Sequence, residues 1–386
     1  MSFRLPRPAR MIFGLGLAAV GFPAMAAPDP GLQAFLESTV AQVRARNHLP
    51  AVAAVVQIDG RIVAETAQGL RANGFAEKVT TGDLWHIGSD TKAMTATMIA
   101  RLVERGLLRF DETMGEAFPD WAATMDPAMR KVTIVQLLSH TAGLLPVTDD
   151  KDLDSVMAIA GPASGGWQVQ RANVARAFLS RPPATAVGHF AYSNLGYIIA
   201  GAIAEAHTGK PWEQLVAEEV FAPLGMMHSG FGNPALPHAH DQPWGHKPVR
   251  GRLVAIDPGS PGSDNPPLIG PAGMISLPLH DWLLFAQDQL DGVHGRGRLL
   301  KPETYARLHT VVVAPYALGW GVKPGADGKP DLLTHSGSNG YWLADIRIMP
   351  RHDIITLLVT NAGNDAANKA IVEIGKPLRD RLKPFD

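Results

Sequence analysis

The sequence predicts an α/β fold, an antiparallel sheet flanked by helices, with an all-helical domain inserted between the two halves of the sheet. Three observations carry that expectation. β-Rich runs at residues 52–58 and 62–66 flank Asp59-Gly60, a hairpin-turn dipeptide. Helical periodicity then dominates the middle of the chain, and strand character returns only at residues 318–322, 342–348 and 354–359. Strands at both ends with helices between them fit one sheet that the C-terminal third completes.

Taken in order, residues 1–26 stand apart from the fold. Arg4, Arg7 and Arg10 precede an apolar run at 11–22, and Ala24-Met25-Ala26 offers a small-residue cleavage site. This is the pattern of a secretory signal, so the mature chain, 27–386, is expected to be periplasmic or secreted, with no stable membrane span once the signal is removed. The chain has no cysteine, so export brings no disulfides and stability rests on the core. The α/β part is expected at about 27–90 and 315–386 and the helical part at about 91–314. Helical patterns fall at 32–46, 134–139, 168–179, 194–207, 212–221, 281–290 and 302–308, and an amphipathic one at 365–382 closes the chain. Leu49-Pro50 ends the first of these, and Pro211 heads another. Residues 238–271 form a Pro/Gly-rich stretch, long for a loop, and such loops commonly border sites. A formal net charge of −1 without a long basic block argues against nucleic acid as the main partner.

Residues 85–108 read as a buried helix whose first turn carries Ser89 and Lys92, because the run after Lys92 is too apolar for a surface helix. Residues three apart on a helix share a face, which sets a hydroxyl beside an amine. Burial without a carboxylate partner lowers a lysine pKa and leaves a base able to take the serine proton. Taken alone, a serine with a lysine three residues on is a common coincidence.

Two further motifs change that reading. Tyr192-Ser193-Asn194 precedes a helix, and His335-Ser336-Gly337 lies where the strands resume. With Ser89-x-x-Lys92 they follow the order of serine acyltransferases that carry S-x-x-K, a second element and a K-T-G-like strand. Residues 137–144 (LLSHTAGL), 221–226 (FAPLGM) and 271–276 (PAGMIS) look familiar in the same way. The mature chain thus resembles the class C β-lactamase family, with its D,D-peptidase and esterase relatives, across nearly its whole length. That resemblance implies the β-lactamase/transpeptidase-like fold. It also implies Ser89 as nucleophile, Lys92 as base or proton relay, Tyr192 as the phenol that passes the proton to the leaving group, and Asn194 as an orienting amide. The implied oxyanion hole is the backbone N–H of Ser89 and of Ser338. His140, in the L-L-S-H-T-A-G segment, is expected to be structural. Tyr192 would need a nearby cation to become a phenolate, and Lys92 is the candidate.

Departures from the family pattern bear on substrate. His335 stands where a lysine would hold a substrate carboxylate, so carboxylate recognition at His335, Ser336 and Gly337 is expected to be weaker or pH-dependent. Thr148 occupies the neighbourhood of a family glutamine and cannot present an amide. Trp244, with Pro243 and His246, is expected to wall the acyl pocket, and Trp342 to line it. His238, His240, Asp241 and His246 have ligand chemistry but no helix-borne ligand spacing, so no metal and no cofactor is expected. The expected partner is a small-molecule or peptide substrate. The reading is an exported serine hydrolase acting on D-amino-acid peptides or small esters, with weak β-lactam hydrolysis. The alternatives are a dedicated class C-like β-lactamase and a penicillin-binding or peptidoglycan-sensing protein without turnover. G-x-S-x-G is absent, so the α/β-hydrolase route to ester hydrolysis finds no support.

Overall fold

The computed structural model describes residues 29–162 and 166–382, so the expected signal segment lies outside the described residues. Strands Arg61–Gly69, Ala51–Ile58, Ile354–Thr360, Leu343–Met349, Pro330–Ser338 and Gly321–Pro324 lie side by side in that order as one six-stranded antiparallel sheet. Its first two strands form the hairpin expected around Asp59-Gly60, both of which have positive φ. Successive side chains of a strand point to opposite faces, and here both faces are covered. Ala51, Ala53 and Val55 face the large core with Ile355, Leu357 and Val359. Val52, Ala54, Val56 and Leu358 face a second cluster, roofed by the terminal helices Pro30–Arg46 and Asp365–Arg381. The central strands therefore read as continuous apolar runs rather than as an alternation.

Between the two halves of the sheet the chain is mainly helical but not all-helical, a correction to the expected domain plan. Leu84–His86 is a strand paired with Ile275–Pro278, which also pairs with Gly230–Phe231. The helix expected over 85–108 is accordingly shorter, Thr91–Glu104, with Gly88–Asp90 as a 3-10 turn before it. The long stretch 238–271 contains a hairpin, His246–Val249 with Arg252–Ala255, turned by Arg250-Gly251 at φ +49° and +78°. Residues 318–320 form a turn instead of a strand, because Gly319 takes φ +81° and its backbone lies so close to the central helix that a Cβ would fall 2.8 Å from the Lys92 carbonyl oxygen. A helix at Asp150–Ala160, N-capped by Asp149, was not expected from periodicity.

One buried ion cluster fixes how the helices meet beside the sheet. Arg171, fully buried, pairs with Glu205 and Glu213 and donates from Nη2 to the Pro267 carbonyl at 2.8 Å. Three helices and the 267–273 segment thus share one guanidinium. Glu205 also accepts the backbone N–H of Trp212 at 2.9 Å. Removing one partner of such a cluster strands the others in low dielectric, so Arg171→Met should destabilise the fold by about 3–5 kcal/mol. Thermal melting at neutral pH checks this, and an unchanged midpoint would show the cluster to be dispensable.

Candidate active site

Thr91–Glu104 runs through the core with Lys92 fully buried near its head. Two threonines hold the opposite wall in place: Thr95 Oγ1 donates to the Pro271 carbonyl at 2.8 Å, and Thr91 Oγ1 accepts the Ile275 N–H at 3.1 Å. This clamp turns the Ala272 carbonyl onto Lys92 Nζ at 2.7 Å. Asn194, first residue of Asn194–Thr208, offers Oδ1 to the same nitrogen at 2.7 Å, and the Ser89 Oγ lies 2.9 Å from it. Burial drives the Lys92 pKa well below the ordinary lysine value, against an opposing pull from Asp90. A neutral amine suits these three neighbours, since its two N–H bonds serve the two carbonyl-type oxygens and its lone pair accepts the Ser89 hydroxyl.

Ser89 itself is half-buried and opens on a cavity of about 330 Å³ that is also lined by Thr148, Asp149, Asn194, Asn265, Gly273 and Ser338. The walls of this cavity converge on Ser89 because two backbones touch. Gly88 takes φ +51°, and a Cβ on it would stand 2.4 Å from the Ser338 nitrogen. A Cβ on Gly337 would stand 2.0 Å from the Ile87 carbonyl oxygen and 2.6 Å from the Ser89 nitrogen. Two glycines thus let the strand Pro330–Ser338 press against the Gly88–Asp90 turn, which brings the Ser89 and Ser338 amides to one spot.

The tyrosine element is held from below by His140. Its Nδ1 accepts the Ser193 N–H at 3.1 Å, and its carbonyl accepts the Ala191 N–H at 2.8 Å, so it clamps both sides of Tyr192. Its φ of +60° and its pKa, pushed down to about 2 mainly by burial, mark a neutral structural strut. The role is structural, as expected, and the partner is backbone 53 positions away in sequence. The Tyr192 ring lies 4.9 Å from Lys92 Nζ. Burial pushes its phenol up, with the Ser89 side chain pulling the other way. Burial thus favours the neutral Tyr192 hydroxyl and the less charged Lys92 together, against the phenolate that a Lys92 cation would have to promote.

Several expected substrate contacts are corrected. His335 is buried: Nε2 pairs with the Tyr316 hydroxyl at 2.9 Å, Nδ1 with its neighbour's carbonyl at 3.0 Å, and burial first, then Lys92, push its pKa down to about 3. A neutral, doubly partnered imidazole is no receptor for a carboxylate. Ser336 Oγ donates to Asp345 at 2.8 Å, and Gly337 acts through its missing Cβ. Trp342 is buried edge-on to Trp85, and Trp244 packs with Ala72, Ala235 and Phe75 while donating to the Ala239 carbonyl at 2.6 Å, so neither lines the cavity. Both lie in irregular backbone shortly before strands, and these partners turn them inward rather than into the cavity. In the 238–271 stretch, His238 pairs with Asp257 and His246 bridges the Asn73 N–H and the Asn361 carbonyl.

Sequence reading missed Asp90, Ala272, Asn265, Asn339 and Tyr316. Asp90 sits between the serine and the lysine, and its carboxyl is pushed well up by burial and by Asp345, with Lys92 opposing. Only Ala272 had a signal, since it lies in the PAGMIS segment. Gly337→Ala is expected to displace the Ser89 turn and to cut acylation by about 100-fold, the scale of one lost oxyanion donor. Stopped-flow acylation checks it, and near-normal rates would mean that the strand contact is not needed.

Comparison with known proteins places the chain in a family. A family model described as Beta-lactamase matches residues 36–374. Penicillin-binding protein 4 of Amycolatopsis lactamdurans is 30% identical over 343 residues, covering 83% of this chain and 83% of that protein. The D-alanyl-D-alanine-carboxypeptidase/endopeptidase AmpH of Escherichia coli (strain K12) is 24% identical over 349 residues, covering 84% of this chain and 86% of its own. Among solved structures, a beta-lactamase from a Sulfitobacter species matches with a TM-score of 0.72 at 18% identity, over 94% of this chain and 100% of its own, a likeness of fold. The family match, spanning nearly all of the described chain, identifies it as a member of the beta-lactamase family of serine hydrolases.

Proposed function

We propose that this chain is an exported serine hydrolase that works through a Ser89 acyl-enzyme on small esters and amides, those of D-amino acids included. The observation that carries the reading is the buried Lys92 amine 2.9 Å from Ser89 Oγ, with its other two neighbours both hydrogen-bond acceptors. In the first step the Ser89 hydroxyl proton passes to Lys92 Nζ as Oγ bonds to the substrate carbonyl carbon. The oxyanion receives the Ser89 and Ser338 N–H groups. Collapse expels the leaving group, which takes a proton from the Tyr192 hydroxyl while Tyr192 regains one from the Lys92 ammonium. Water then repeats the sequence on the ester and frees Ser89. Export rests on the N-terminal sequence pattern; among the described residues no helix is long and apolar enough to cross a membrane.

The charge around the cavity ranks the substrates. Its lining holds a single charged side chain among the described residues, Asp149. A substrate carboxylate meets no cation there, whereas a neutral or amine-bearing acyl donor meets no repulsion. This favours esters and amides over peptides that must be held by a C-terminal carboxylate, and it leaves β-lactams as weaker substrates. The likeness to Penicillin-binding protein 4 supports a second reading, a protein that is acylated with little turnover. A nitrocefin progress curve separates the two, because a stoichiometric burst without a steady phase belongs to the second.

Two measurements test the main reading. Ser89→Ala should abolish labelling by a fluorophosphonate, and label retained on another serine would overturn the assignment. Because Lys92 must be neutral to act, kcat/KM should fall as pH drops through its depressed pKa. His335 stays neutral, so a neutral and an acidic p-nitrophenyl ester should share one profile between about pH 5 and 8. A decline with rising pH confined to the acidic ester would return His335 to carboxylate recognition.

A further inference from the structure

A buried imidazole outside the reacting groups touches the turn that carries Ser89. His86, whose side chain is fully buried, accepts the Gly88 N–H on Nδ1 at 3.1 Å. This bond fixes the Nδ1 lone pair as acceptor, so the proton of the neutral ring sits on Nε2. Nε2 lies 3.2 Å from Asp264 Oδ1, at ion-pair distance but outside hydrogen-bond geometry, and has no hydrogen-bond partner among the described residues. The same Oδ1 accepts the Asn339 side-chain amide at 2.8 Å and the Asn265 N–H at 2.7 Å. Asn339 and Asn265 both line the Ser89 cavity. Asn339 also accepts the Tyr341 and Trp342 N–H groups at 3.1 and 3.2 Å, which ties the loop after Ser338 into the same set.

We propose that His86 and Asp264 are positioning residues: Asp264, gripped by the two asparagines of the cavity wall, holds the imidazole that orients the Gly88 peptide and hence the adjoining Ser89 amide. The physical basis is directional. Gly88 has φ +51° and joins the peptide whose N–H the imidazole holds to the peptide that carries the Ser89 N–H, so an acceptor fixed on the first narrows how the second is aimed. The stretch 238–271 thereby acts on the site through the oxyanion hole, not as the aromatic wall expected from Trp244. An acyl group seated against Asn265 and Asn339 would press on the residues that hold Asp264, which couples substrate fit to the aim of the oxyanion donor. This inference rests on the Ser89 reading.

The test uses isosteric halves of the ring in the full-length mature protein. His86→Asn keeps an acceptor at the Nδ1 position, while His86→Gln keeps only a donor near Nε2. With p-nitrophenyl acetate, His86→Gln should lose about 100-fold in kcat with KM within about twofold, and His86→Asn should recover most of that loss. Asp264→Asn should fall between them, and melting curves on all three establish folding. Equal losses in the Asn and Gln variants, losses that follow the melting midpoint, or unchanged kcat throughout would overturn the proposal. Activity that survives Ser89→Ala would instead overturn the reading beneath it.

Discussion

A fully buried primary amine governs this molecule. Taking the Lys92 ammonium out of solvent is costly, and the fold meets that cost by lowering the pKa rather than by supplying a counter-charge that stays ionised. The rest of the site follows from it. Two fixed acceptors, Asn194 Oδ1 and the Ala272 carbonyl, use the amine's donors and leave its lone pair for Ser89. Thr91 and Thr95 exist on that helix face to hold the carbonyl wall, and Asn194 is itself held by donating to the Val147 carbonyl at 2.8 Å. A charged lysine would have no lone pair, and the same geometry would then be inert.

Around this amine the protein places three buried imidazoles in structural roles. His140, His335 and His86 each use a ring nitrogen to fix a backbone or hydroxyl group near the reacting atoms. Burial keeps the first two uncharged at every physiological pH, so they add no cation beside Lys92. The consequence for recognition is direct. With His335 turned to Tyr316, no lysine-like anchor lines the cavity among the described residues, and its polar lining is hydroxyls, amides and the Asp149 carboxylate. The chemistry is thus separable from the anion recognition that a lysine on this strand would add.

Tight backbone contact is the second constraint. Gly88 and Gly337 allow a strand and a turn to meet at a spacing no other residue permits, and the oxyanion donors are a by-product of that contact. The large core and the outer cluster brace this meeting from both faces of the sheet, since the apolar residues of Ala51–Ile58 divide between them.

The sequence by itself determined the reaction class and most of the architecture. Three short motifs, Ser89-x-x-Lys92, Tyr192-Ser193-Asn194 and His335-Ser336-Gly337, carried the reaction class through their resemblance to one family, with helix geometry explaining the first, and terminal strands around helical periodicity predicted the sheet. It also placed Ser89, Asn194, Thr148 and Ser338 at what the structure shows as one cavity. Only the tertiary structure decided which way side chains point. Trp342 and His335 lie beside the H-S-G element and Trp244 in the long 238–271 stretch, yet each faces inward, because orientation depends on packing partners far away in sequence. Charge state was equally hidden: a lysine, a tyrosine and a histidine titrate according to what surrounds them, and those surroundings come from segments as distant as residues 89–92, 192–194, 271–275 and 335–338. The strand at Leu84–His86 escaped the apolar periodicity for the same reason, since its pairing with Ile275–Pro278 is a long-range contact that no local pattern records.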